Sequence, residues 1–261
     1  MEFIREVLGI ISQYYSYLLS GVGYTMLIAL IGTAAGFLIG LITGVIRAAP
    51  RSKNAVVRVL HKIVNAIIAV YIEVFRGTPM MVQAMVIYWG YAFLNDGATL
   101  PLIPAGLFIV SINTGAYMAE TVRGGIMSID IGQTEGAKSI GMNHFKTMLY
   151  VILPQTIRNI IPQIGNNLII NIKDTSVMFV IGYTELFAAH KAITGATYVY
   201  FPSAVITLTI YLILTIVCSL LLRLWEKKLD GPENFNIATT DTLAHTSGMY
   251  SYVKKLKKGE R

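Results

Sequence analysis

Residues 22–46 read VGYTMLIALIGTAAGFLIGLITGVI and carry no charged side chain. At about 1.5 Å per residue, a helix of this length exceeds the roughly 30 Å hydrocarbon core of a bilayer. The run is too long for a signal-peptide core and has no basic cluster directly before it, so it reads as a retained spanning helix. Gly32, Gly36, Gly40 and Gly44 recur every fourth residue. They therefore share one helix face, a smooth strip on which another helix can approach closely. Two partners suit that strip: a helix of the same chain, or the matching face of a second subunit.

The rest of the chain agrees with a membrane setting. Of 261 residues 54% are hydrophobic and 13% charged, where a soluble domain carries roughly a quarter charged. Further apolar runs of spanning length predict an all-α polytopic protein; a membrane barrel would show short alternating segments instead. The single cysteine, Cys218, excludes a disulfide framework, and His61, His144, His190 and His245 lack ligand spacing, so no metal site is expected.

Charge placement predicts orientation. The basic loop Arg47, Arg51, Lys53, Arg58 and Lys62 reads as cytoplasmic under the positive-inside rule. His61–Phe75 is apolar but short and flanked by charges, so it suits an interfacial helix. Gly77 then ends that helix, Thr78 caps the next and Pro79 takes its first position. Spans are predicted at Val22–Ile46, Pro79–Leu94, Pro104–Thr121, Ile160–Ile181 and Ser203–Leu222, giving five transmembrane helices with the N-terminus out and the C-terminus in. Of the 21 basic residues, only Arg5, Lys173 and Lys191 fall outside the segments read as cytoplasmic. The net charge of +7 is thus an orientation signal, and no nucleic-acid partner is expected.

The longest internal loop lies between Arg123 and Pro154. Glu135, Gly136, Ala137 and Gly141 give it a surface with little side-chain bulk and one carboxylate, suited to a short helix docking in another protein's groove; a solvated loop is the alternative. Glu135-Gly136-Ala137, Gly141 and Ile152-Leu153-Pro154-Gln155 resemble the EAA loop of the membrane subunits of type I ABC importers. Phe75-Arg76-Gly77-Thr78-Pro79, Ala116-Tyr117-Met118-Ala119-Glu120 with Arg123-Gly124-Gly125-Ile126, and Lys173-Asp174-Thr175-Ser176 are similar to stretches of the polar amino acid permeases of the histidine/glutamine type. The likeness runs from about Ser20 to Leu224. Gly136 stands where the family usually has alanine, which implies a more flexible coupling helix.

Three parts are expected, an N-terminal interfacial segment (1–20), a transmembrane domain (21–224) and a cytoplasmic tail (225–261), and the resemblance covers the second. It implies a multi-pass subunit of a bacterial cytoplasmic membrane that imports a polar amino acid by alternating access. The chain has no Gly-Lys dipeptide, so it holds no phosphate-binding loop. It is then not the ATPase, and the resemblance implies a transport subunit rather than an enzyme: ATP and Mg belong to a partner ATPase dimer, coupled through 133–149. A second permease subunit, identical or homologous, and an outer amino acid binding protein complete the expected assembly.

Polar residues inside spans normally face protein or water. At 100° per residue Gln163, Asn167, Asn171 and Asp174 share one face of the fourth span, with Asn166 and Lys173 beside it. Either these bond between helices or they line a translocation path, with Lys173 and Asp174 offering charges to a zwitterion. The expected pathway set is Asn167, Asn171, Lys173, Asp174, Thr175 and Ser176, completed by Asn113 and Tyr117. Glu120 is expected to pair with Arg123 three residues on. The competing class is an ion-coupled secondary transporter using Lys173, Asp174 and Glu120; it predicts internal repeats, and none is evident.

Overall fold

The computed structural model describes residues 2–50 and 54–230, and every regular element among them is helical. The tail expected from 225 onward lies outside the described residues beyond 230. Helix α1 (Glu2–Ala48) is kinked at Tyr14, and is followed by α2 (Ala55–Gly77), α3 (Met80–Leu94) and α4 (Leu102–Met127). Two short helices, α5 (Ile131–Ser139) and α6 (His144–Thr147), and a π-turn (Met148–Ile152) lead to α7 (Leu153–Asp174). A 3-10 segment (Thr175–Ile181), α8 (Leu186–Thr197) and α9 (Tyr200–Asp230) complete the order. Met1–Arg223 forms one compact unit.

The glycine strip meets a helix of the same chain. A Cβ on Gly32 would lie 2.6 Å from Val110 Cγ1, one on Gly36 2.6 Å from Thr114 Cβ and one on Gly44 2.8 Å from Val122 Cβ, while Gly40 faces Met118. Both residue numbers rise together, so α1 and α4 run parallel. The chain between them must return in the opposite sense. His61 Nε2 lies 2.9 Å from Ile46 O at the start of that return, and Tyr71 OH donates to Ile112 O (2.6 Å) midway along α4. Ala84 and Tyr88 of α3 then pack with Ile28, Ala105 and Ile109 at the beginning of α4. Helices α2 and α3 are two halves of one path.

The remaining directions follow from similar contacts. The Gly125 end of α4 abuts Thr156 and Ile160, and Thr114 bonds Asn171, so α7 is antiparallel to α4. Gly165 abuts Leu222, while Cys218 packs near Leu168 and Ile172, so α9 is antiparallel to α7.

Three expectations change. His61–Phe75 lies in a longer helix, α2, of 23 residues, long and apolar enough to cross a membrane. Arg58, His61, Lys62 and Asn65 fall at helical spacing on one face, so they leave the apolar face uninterrupted. By length and composition α1, α2, α4 and Tyr200–Glu226 qualify as spans; α3, with 15 residues, is shorter, and α7 is too polar. At the break Thr78 is extended (φ −125°, ψ 150°) and closes α2, while Pro79 caps α3. The cause is the ring of Pro79, which excludes helical geometry from the preceding residue.

Glu120 does pair with Arg123 (2.8 Å), and also with Arg47 of α1. One carboxylate therefore ties the ends of two parallel helices. Position alone reveals the i,i+3 partner, whereas Arg47 becomes its neighbour only through the glycine-strip packing.

Candidate functional site

A break inside a packed helix leaves carbonyls of α2 and amides of α3 without partners of their own. Two buried amides close it. Gln83 Nε2 donates to Phe75 O (2.9 Å), Thr78 O (2.9 Å) and Thr78 Oγ1 (2.8 Å), and Asn113 Nδ2 donates to Gln83 Oε1 (2.8 Å) and Phe75 O (3.3 Å). Gln83 was not singled out from sequence; its signal is a lone amide in an apolar helix, four residues after Pro79. Asn113 thus holds the break in place as well as facing the cavity below.

That cavity, about 280 Å³, is lined by Thr78, Pro79 and Met80 at the break, by Asn113, Thr114 and Tyr117 of α4, and by Asn167, Ile170, Asn171 and Asp174 of α7. The first turn of α3 forms one wall, where helix amides carry partial positive charge. Asp174 forms the opposite polarity. Its carboxylate makes no hydrogen bond or ion pair among the described residues, and it is partly buried. The Arg76 guanidinium stacks over the Tyr117 ring at 5.6 Å.

The expected residues separate into three groups. Asn113, Tyr117, Asn167, Asn171 and Asp174 converge on this cavity. Asn171 is at the same time the junction of three helices: its Nδ2 donates to Thr33 Oγ1 (2.8 Å) of α1 and to Thr114 Oγ1 (3.0 Å) of α4. Lys173 and Ser176 line a different space of about 360 Å³, with Phe187, His190, Tyr200 and Tyr211. The reason is the helical step: adjacent residues point about 100° apart. Thr175 is fully buried and donates to Ile172 O (2.9 Å). The two charges expected to act together therefore face separate cavities.

Sequence reasoning also missed Glu185. It is buried, accepts from Ala188 N (3.0 Å) as the cap of α8, and accepts from Thr25 Oγ1 (3.5 Å) and Tyr211 OH. The signal is Gly182, three residues earlier, which ends the 3-10 segment at φ +86° and so announces a new helix start nearby.

The loop after α4 forms a compact projection. Asp130 caps α5 by accepting from Gly132 N (2.6 Å), and Gly141, at φ +83°, ends it with Met142 N bonding Ala137 O (3.1 Å). That positive φ favours glycine. Ala137 is buried, whereas Glu135, Gly136 and Gly141 are exposed together with Ile131, Ile140 and Phe145. Apolar side chains are therefore exposed on both sides of the Glu135 carboxylate.

The family described as binding-protein-dependent transport system inner membrane component matches residues 36–231. The chain belongs to this family. As an inner membrane component of a binding-protein-dependent transport system, it is similar to the glutamine transport system permease protein GlnP of Escherichia coli K12, with 35% identity over 212 residues, 81% of this chain and 92% of that protein. It is 35% identical to the probable amino-acid permease protein YxeN of Bacillus subtilis, covering 79% and 85% of the two chains. A crystal structure of an amino acid ABC transporter with histidines superposes with a TM-score of 0.71 at 35% identity, covering 84% of this chain and 96% of that one. The methionine ABC transporter MetNI in an inward-facing form shares the fold, with a TM-score of 0.67 at 18% identity. These relatives are transport subunits, so the chain is a permease component rather than an enzyme, and its fold is the polytopic all-α one expected.

Proposed function

We propose that this permease component carries a polar amino acid through the cavity between the α2–α3 break, α4 and α7. The observation that carries the reading is one polar space bounded by a half-helix N-terminus and an unpaired carboxylate. A zwitterion satisfies both: its carboxylate meets the amides of Met80 and Met81, and its ammonium meets Asp174. Broken helices whose ends face substrate charge are a recurrent solution in membrane transport. Asn113, Tyr117 and Asn167 orient what lies between them. Lys173, Thr175 and Ser176 act at a distance from the bound molecule, along the neighbouring cavity and the buried end of α7.

The same helix directions support five crossings, with α2 and α3 as a single one, the N-terminus outside and the basic ends of α1, α4 and α9 in the cytoplasm. The multi-pass chain then sits in a bacterial cytoplasmic membrane. A second permease subunit, an outer binding protein and a pair of ATPase subunits complete the transporter. ATP binding at those partners closes the cytoplasmic side, and α5 transmits the movement, with Glu135 meeting a basic side chain of the ATPase.

Uptake of labelled glutamine into vesicles holding the full complex tests this reading. Uptake is expected only with ATP on the ATPase side and is expected to persist when ion gradients are collapsed. Gly141→Trp should abolish it and release the ATPase, because the bulky side chain occupies the docking surface and φ +83° costs a non-glycine residue about 1–2 kcal/mol. Uptake driven by an ion gradient without ATP, or an unimpaired Gly141→Trp complex, contradicts the assignment.

A further inference from the structure

A separate cavity of about 610 Å³ lies between the end of α1 and the start of α2, lined by Arg47, Arg58, His61, Lys62 and Asn65. Among the described residues no carboxylate lines it. Glu120, the acidic group beside it, already binds Arg47 and Arg123, so one negative charge is shared by two positive ones. Arg58 and Lys62 make no ion pair among the described residues. With His61 and Asn65 they occupy one helical face of α2, spaced by three and four residues, and that face turns toward α1.

A buried polar atom points the same way. Asn65 Oδ1 is buried without a partner, while Asn65 Nδ2 lies 3.1 Å from His61 Nε2, which itself lies 2.9 Å from Ile46 O. One ring nitrogen cannot donate to the carbonyl and also accept from the amide. Turning the amide lets its oxygen accept from His61 and leaves the NH2 as a buried, unsatisfied donor next to the cavity.

The flank of α2 next to the cavity is apolar and open: Val59, which also lines the cavity, is 57% exposed, and Ile63, Ile67 and Val70 along the same side are 52%, 64% and 65% exposed. We infer that this cavity binds the phosphate diester of an anionic phospholipid, whose acyl chains lie along the apolar face. Basic pockets between membrane helices near the cytoplasmic surface suit such headgroups. A soluble phosphate shares the anionic chemistry but gains nothing from the apolar face. The inference uses the orientation proposed above only to name the leaflet, and its readout is binding, independent of transport.

Native mass spectrometry of the purified full chain, titrated with phosphatidylglycerol or phosphatidylcholine of matched acyl chains, tests it. The chain should retain phosphatidylglycerol selectively. Arg58→Gln/Lys62→Gln should bind it about 30-fold more weakly, about 5-fold per basic residue. Arg58→Lys/Lys62→Arg should keep it, as should Lys138→Gln/Lys146→Gln, which removes the same charge elsewhere. Equal retention of the two lipids, or full binding by the glutamine pair, overturns the proposal. So does displacement of phosphatidylglycerol by equimolar inorganic phosphate, which would make the cavity a soluble-anion site.

Discussion

Asp174→Ala will lower amino acid uptake at least about 30-fold while the subunit still folds and still recruits its ATPase. The estimate follows from truncating one partner of a desolvated charge pair, which costs about 2 kcal/mol or more. The substrate ammonium would remain in a 280 Å³ cavity with no carboxylate to meet it. Folding should not suffer, since the Asp174 carboxylate makes no ion pair among the described residues and a charge within a membrane is itself unfavourable. Asp174→Asn should lose nearly as much, because the amide keeps the shape but not the charge. Lys173→Ala is expected to lose less than about threefold, since Lys173 lines the neighbouring space with His190 and Tyr211. Uptake assays and gel filtration on the same preparations separate the two effects. A folded Asp174→Ala complex with ordinary uptake would remove the ammonium site from the proposal.

Gly40→Leu will force α1 and α4 apart. A Cβ at residue 40 would already lie 2.7 Å from the backbone carbon of Met118 and 2.8 Å from Ala119 N, and backbone cannot step aside as a flexible side-chain tip can. Overpacking costs about 1–3 kcal/mol and more where backbone must move. For a chain of this size that is a loss of roughly 5–10 °C in Tm. The separation also pulls Arg47 from Glu120, so the damage extends to the far ends of both helices. Gly23→Ala is the matched control: nothing lies within 4 Å of its Cβ, and alanine favours helix by about 1 kcal/mol. Thermal unfolding of the purified subunits in detergent measures both. An unchanged Tm for Gly40→Leu would mean that the strip is not the α1–α4 contact.

Periodicity and composition carry information about single helices, and these features were legible. The four glycines announce a close contact but cannot name α4 as the partner, because pairing depends on how the intervening chain returns. Arg76-Gly77-Thr78-Pro79 announces a break, since proline acts on its immediate neighbour. It does not reveal that Asn113 and Gln83 will close that break, 30 residues apart in sequence. The polar face of α7 was legible as a face. Its division was not: Asn171 is consumed in bonds to Thr33 and Thr114, Asn167 and Asp174 remain open to the cavity, and Lys173 turns to another one. The length of α2 was misjudged because charges were counted along the chain, whereas they cluster on one side of the helix. Glu185 went unread for the opposite reason, since its three partners come from α1, α8 and α9.

With the amino acid in the cavity beside the α2–α3 break, a single thiol introduced there is shielded by bound substrate. Asn167 lines that cavity and, among the described residues, makes one local bond, to Gln163 O, while the native thiol, Cys218, is buried and is replaced by alanine for the assay. Asn167→Cys in that background should react with a small charged thiol reagent in vesicles holding the full complex. Glutamine should slow the reaction at least tenfold, and Asp174→Ala should remove that protection. Equal reaction rates with and without the amino acid, in a complex that still transports it, would place the substrate elsewhere.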